Sequence, residues 1–469
     1  MRRTRGRLAI VLLGVLAVLA GAACSSEGSE GAGGGDGQGG DGGAEGAEEM
    51  TVTVPEDHGT IQEAVDAVAP GGLVLISPGT YHEQVEVSTE DVTLRGLDRN
   101  EVILDGEFEL ENGVRALDTD GVVVENLTTR NYTSNGVFWS GVDGYRGSYL
   151  TAYRNGDYGI YAFDSINGQI DHSYASGSPD AGFYIGQCYP CNALISDVVS
   201  EYNGLGYSGT NSGGELYIVS SEFRFNRAGV VPNSGSYELC YPERETTVVG
   251  NLVHSNNQAD SPAIDVAMLA MGNGILLPGG VNNTVERNRV WDHERTGIGL
   301  VPFPEEDASD VAPPPEDDER PCDEAREDEV PEPETVGSVL WQPRGNSVRG
   351  NVVEQSGLGD LAIGTIDADP ATLGNCFADN TFTSTAPAQL EQLAPCEGTG
   401  SGDWNTGALD LVSLIASERP PAGDYMTQPV PGPQPSMPDA ADAPVTPAPT
   451  GPPSIDVASI AVPDRPTGS

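Results

Sequence analysis

Phe138, Tyr161 and Tyr184 stand at one phase of a repeating pattern, each two positions after a recurring glycine at Gly136, Gly159 and Gly182. Neighbouring strands lie about 4.8 Å apart, so rings at one phase of successive strands form a flat stripe. Rigid, amphipathic rings in a row make a stacking platform for sugars. The competing reading is a structural stack that reflects only the strand preference of aromatics. Five positions after the glycines from Gly159 onward the residue is polar: Asp164, Gln187, Asn211 and Ser234. Such groups beside the stripe would hydrogen-bond a hydroxylated ligand. Asp171-His172 invites general acid–base chemistry, against a histidine satisfied locally beside a turn. The sequence holds no Ser-His-Asp spacing, phosphate loop or zinc signature.

Those residues need a scaffold that repeats. Glycine followed by a short apolar run returns at Gly136, Gly159, Gly182, Gly206, Gly229, Gly274 and Gly297, the early copies roughly 23 residues apart, a solenoid period. Residues one after each glycine (Val137, Ile160, Phe183, Tyr207, Val230, Ile275, Ile298) read as an inward column, which turns the aromatics outward. A second column of small polar residues, Asn126, Ser148, Ser173, Asp197, Ser221, Asn251, Asn288, Asn351 and Asn380, is expected at corners, where stacked Asn side chains bond along the axis. Short strands of this kind bury nothing alone and must stack.

This pattern resembles the right-handed parallel β-helix of the pectate-lyase-like superfamily, and most closely secreted bacterial proteins with generic β-helix repeats. The resemblance covers roughly residues 51–400, including the opening Thr60-Ile-Gln-Glu63 capping box and the run to Tyr81. It implies an all-β, single-stranded right-handed solenoid with a short N-terminal capping helix and disordered termini. It also implies carbohydrate chemistry. Family lyases hold calcium with several carboxylates and use an Arg or Lys base, and family hydrolases use clustered Asp. The positions here that match in kind are Asp157, Asp164, Asp180, Arg154 and His172, with Ca²⁺ as the cofactor such a site would take. Aspartate is also a common turn residue, so each has a structural alternative.

The chain has 71 acidic and 22 basic residues, a formal charge of -49, and every basic side chain is Arg. That field excludes nucleic acid as a partner. Met1–Ala23 reads as an export signal: Arg2, Arg3, Arg5 and Arg7 precede an apolar run and small residues. Cys24 follows as a lipidation site, although Gly21 stands where Leu is commonest, and cleavage at Ala20 and Ala22 would instead release a secreted protein. Residues 24–50 are a Gly/Asp/Glu-rich disordered tether, 51–425 the β-helix, 302–335 an acidic Pro-rich insertion expected to be a solvated excursion, and 426–469 a Pro/Ala-rich tail. Leu409, Leu411, Leu414 and Ile415 suggest a helix closing the C-terminal end.

In an exported chain the other cysteines read as disulfides. Cys376 and Cys396 bracket the last coil and are expected to pair; the partners of Cys188, Cys191, Cys240 and Cys322 stay open. The expectation is a monomeric, outward-facing membrane lipoprotein that binds polysaccharide or cell-envelope glycan through Phe138, Tyr161, Tyr184, Asp164, Gln187 and Asn211. The alternatives are a polysaccharide lyase, epimerase or hydrolase, and a non-catalytic adhesin or stalk.

Overall fold

The computed structural model describes residues 49–328 and 335–466. The chain winds through three parallel sheets of 12, 10 and 11 strands, here I, II and III, visited in that order from coil to coil until the last, which passes from I to III. One coil, for example, gives Asp143–Ser148 to sheet I, Thr151–Tyr153 to sheet II and Tyr158–Phe163 to sheet III. The fold is an all-β parallel β-helix, in agreement with the sequence expectation.

The glycine pattern predicts the register of sheet III. Val137 pairs with Ile160, Ile160 with Phe183, Phe183 with Tyr207, and Tyr207 with Val230, and all are buried. Phe138, Tyr161, Tyr184, Ser208 and Val231 follow in the same register on the outer side. A slip of one residue exchanges the two faces of a strand, and the polar corner column of the early coils contains such slips. Ser148 pairs with Asp171 and Asp171 with Ser196, and Leu194 lies outside while Ile195 is buried. From Ser221 onward the column is continuous. Asn251 donates Nδ2 to Asn288 Oδ1 at 3.0 Å, Asn288 to Asn351 at 3.0 Å, and Asn351 to Asn380 at 2.9 Å. A second ladder, Asn203 to Asn226 to Asn256 at 3.1 Å each, lines the corner between sheets II and III.

Among the described residues, five α-helices decorate the solenoid. Helix α1 (Ile61–Ala67) starts at Thr60, whose hydroxyl accepts from the Glu63 N–H, and buries Ile61, Ala64 and Val65 in the core. It ends at Ala67, and Pro70-Gly71-Gly72 falls within the strand Val68–Ile76. Helix α2 (Asp265–Ala270) packs Ala267 and Ala270 onto the outside of sheet III. Helix α3 (Cys322–Asp328) belongs to the acidic insertion. Helix α4 (Leu390–Leu393) closes the C-terminal end, with Leu390 in the core. Helix α5 (Leu411–Ile415), expected at that end, lies along the side instead.

Two acidic or proline-rich segments are more ordered than their composition suggests. In the insertion, Phe303–Ala308 pairs antiparallel with Gly337–Trp341, and Glu305 accepts from the Ser236 N–H and hydroxyl and from Trp341 Nε1. Cys322 bonds to Cys240, the insertion's covalent link to the loop at 234–243. The other disulfides are Cys188–Cys191 and the expected Cys376–Cys396.

The tail is a strap and not a free coil. Its carbonyls are held by guanidiniums that the solenoid presents: Arg227 reaches Pro421 O, Arg154 Gln428 O, Arg99 Pro435 O, Arg95 Ala443 O, Arg287 Ile460 O and Arg289 Pro463 O. A proline-rich chain has few N–H donors and cannot extend a sheet, but its carbonyls remain available. The strap therefore runs toward the first coils and returns. The expected disordered C-terminal end is corrected accordingly. The signal segment, Cys24 and nearly all of the tether lie outside the described residues.

Candidate functional site

The outer face of sheet III carries a groove floored by aromatic rings. Ring centroids of Phe138 and Tyr161 are 4.9 Å apart, and those of Tyr161 and Tyr184 4.8 Å, the coil spacing itself. Tyr158 stacks on Tyr161 at 4.3 Å and Phe163 at 5.9 Å, so Tyr161 is the hub. Phe138, Tyr158, Tyr161 and Phe163 are half-buried. Tyr184 is only 1% exposed, which corrects its place in an open stripe. The loop at 234–243, absent from the repeat pattern, folds across it, and Tyr184 donates its hydroxyl to both Glu238 oxygens at 2.6 and 2.7 Å.

Two carboxyl groups flank the rings. On the side of the corner between sheets II and III, Tyr158 donates to Asp180 Oδ2 at 2.5 Å. Burial among the rings pushes Asp180 up to about 7, against the lowering effect of the Tyr158 hydrogen bond and with help from the charge of Asp157. Burial likewise pushes Glu238 up to about 8, opposed by Tyr184 and assisted by Asp180. Both carboxyls also raise Tyr161, well above the ordinary phenol value, after burial itself. Carboxyls whose pKa burial raises toward neutrality, set beside stacked rings, are suited to general acid–base work or to hydrogen-bonding sugar hydroxyls.

The other expected residues do different things. Asn211 donates to Gly235 O and Glu238 O, both at 2.6 Å, and Gln187 Oε1 accepts from the Leu239 N–H at 2.9 Å. Both are buried, so they hold the loop that carries Glu238 and do not line an open edge. Ser234, also buried, donates to Gly279 O. Asp164 pairs with Arg326 of α3. Asp157 is exposed on the rim beside Asp180, whose N–H it accepts at 3.1 Å.

Arg154 is spent on the strap and His172 lies at the corner between sheets I and II, stacked on Tyr149 and bonded to Asp171. Neither joins the groove: Arg154, at the corner between sheets II and III, turns to the strap, and His172 lies one corner away. Asp164 and Asp180 sit at opposite ends of their strands, and among the described residues no group of three or more His, Cys, Asp or Glu is placed to hold a metal. Sequence reasoning missed Tyr158 and Glu238. The first precedes its glycine and falls outside the column, and the second belongs to a loop whose sequence carries no periodic signal.

No family model and no curated protein matches the chain. Solved structures do resemble it. The A-module of mannuronan C-5 epimerase AlgE4 from Azotobacter vinelandii is 16% identical, with a TM-score of 0.40, over 76% of this chain and 98% of that one. The periplasmic alginate epimerase AlgG is 12% identical, TM-score 0.37, over 72% and 84%. A Dettilon tailspike protein is 10% identical, TM-score 0.41, over 72% of this chain and 62% of its own. At these identities the likeness is one of fold.

Proposed function

We propose that this is an exported parallel β-helix protein that binds a polysaccharide or cell-envelope glycan strand along the outer face of sheet III. The observation that carries the reading is the ring row centred on Tyr161, at coil spacing and flanked by Asp180 and Glu238. Phe138, Tyr158 and Tyr161 supply the stacking surface, and the carboxyl groups supply hydrogen bonds to ring hydroxyls. Three disulfides support an oxidising compartment. Lipid attachment at Cys24 would place the solenoid on the outer side of a membrane as a monomer. The test is a polysaccharide panel titrated by calorimetry against wild type, Tyr161→Ala and Phe138→Ala. Saturable binding that falls tenfold or more in both variants supports the reading, and a panel with no binder overturns it.

A catalytic reading is favoured by one observation, the raised carboxyls. Asp180 at about 7 and Glu238 at about 8 titrate near neutrality, as a general acid or base must. Bound glycans incubated with wild type and Asp180→Asn are assayed for new reducing ends, unsaturated ends and epimerised sugars. A product made only by wild type establishes catalysis. No product from any bound glycan leaves a pure binding protein.

A further inference from the structure

The charges around the ring row of sheet III are unevenly matched. One coil before Phe138, in register with it, stands Arg115, which donates to Glu86 at 2.7 Å. The cation at the other margin, Arg326, pairs with Asp164. Both of these guanidiniums therefore have carboxylate partners already. The carboxyls against the rings have no such partner. Asp180 accepts from the Tyr158 hydroxyl and Glu238 from the Tyr184 hydroxyl, and among the described residues no cation pairs with either. The centroids of Tyr158, Tyr161 and Tyr184 lie within 4.9 Å of one another, so both carboxyls reach the same small patch of ring surface. Asp157, next to Tyr158 in the chain and exposed on the rim, adds a third carboxyl.

Ring faces and unpaired carboxyls together favour one kind of ligand. A cation is attracted by the negative face of a ring, and a partly desolvated carboxylate gains most from a charged donor. A uronate or phosphorylated chain would bring further negative charge to three carboxyls, in a protein of formal charge -49. A neutral chain would leave those carboxyls without a counter-charge. Burial raises both Asp180 and Glu238, the response of carboxyls that lack a cation. We infer, resting on the glycan reading, that the bound strand carries free amino groups, with its sugar rings on Phe138 and Tyr161 and its ammonium groups against Asp180 and Glu238.

The test titrates wild-type protein by calorimetry with three hexasaccharides, in weakly acidic, low-salt buffer where sugar amines are protonated. The probes are β-1,4-linked glucosamine, its fully N-acetylated counterpart and galacturonate. The glucosamine hexamer is expected to bind at least tenfold tighter than the acetylated one and to lose much of that margin as salt is added. Galacturonate is expected to bind weakest. Asp180→Asn combined with Glu238→Gln should bring the glucosamine hexamer down to the level of the acetylated one, and Asp157→Asn on the rim should remove part of the margin. A margin that survives both variants overturns the assignment. Tyr161→Ala should weaken every hexamer that binds. If binding is sensitive to Tyr161 but the acetylated or galacturonate hexamer equals the glucosamine hexamer, the amino preference is overturned and the glycan reading stands. No binding of the glucosamine hexamer also overturns the preference, and the wider polysaccharide panel then decides the glycan reading separately.

Discussion

Tyr161 and Tyr184 are neighbours in one row, yet their surroundings give them different roles. Tyr161 is half-buried and its hydroxyl makes no hydrogen bond among the described residues, whereas Tyr184 is sealed beneath Glu238. Tyr184→Ala is therefore expected to cost about 3–5 kcal/mol, as for other buried aromatics, and to lower the melting temperature by several degrees. Tyr161→Ala should leave that temperature much closer to wild type while weakening glycan binding. Differential scanning calorimetry of the pair checks this.

The carboxyls make a second residue-scale prediction. Glu238 moves from an ordinary 4.5 to about 8 on folding, and Glu243, buried beside Thr246 and Asn283, does likewise. A raised folded-state pKa means that the native state holds its proton more tightly. Its stabilising effect is complete below about pH 4.5 and is lost as pH rises through 8. Melting temperature should thus fall between pH 5 and 8.5, and Glu238→Gln should flatten part of that slope. A variant with the wild-type slope would show that Glu238 is not protonated in the fold.

At the scale of elements, the corner ladders and the strap do work that strand pairing does not. Asn288 accepts from the Asn251 N–H and Nδ2 and donates to Val248 O and Asn351 Oδ1, all inside the protein. Asn288→Ala leaves several of these groups unsatisfied and should destabilise by about 1–3 kcal/mol or more, read by chemical denaturation. The strap is tested by deleting residues 420–469. Arg95 and Arg227, fully buried in the intact chain, would lose their carbonyl acceptors. Hydrogen bonds to charged groups contribute about 1.5–3 kcal/mol each, so the truncated protein should melt several degrees lower and be cut sooner by protease. Unchanged melting would mean that the strap is held only weakly.

At the scale of the whole molecule, anchoring is the open expectation. Arg-rich start, apolar run and Cys24-Ser-Ser predict that wild type partitions into detergent and Cys24→Ala into the aqueous phase. Equal aqueous partitioning of both would exclude the lipid.

The glycine period and its apolar column determine the solenoid, because stacking demands one inward phase on every coil, and Val137 through Ile298 declare that phase in the sequence. The outward row of Phe138, Tyr161 and Tyr184 follows from the same alternation, and the disulfide follows from the positions of Cys376 and Cys396 on either side of the last coil. What covers the row does not follow. Glu238 arrives from a loop and Arg326 from α3, neither with any period, and their positions come from contacts with Tyr184, Gln187, Asn211 and Asp164 that are distant in sequence. Likewise the tail's composition reads as a free coil when taken alone. Only the folded solenoid lines up Arg95, Arg99, Arg154 and Arg227 from separate coils, and it is that alignment which gives the carbonyls of a proline-rich chain something to bind.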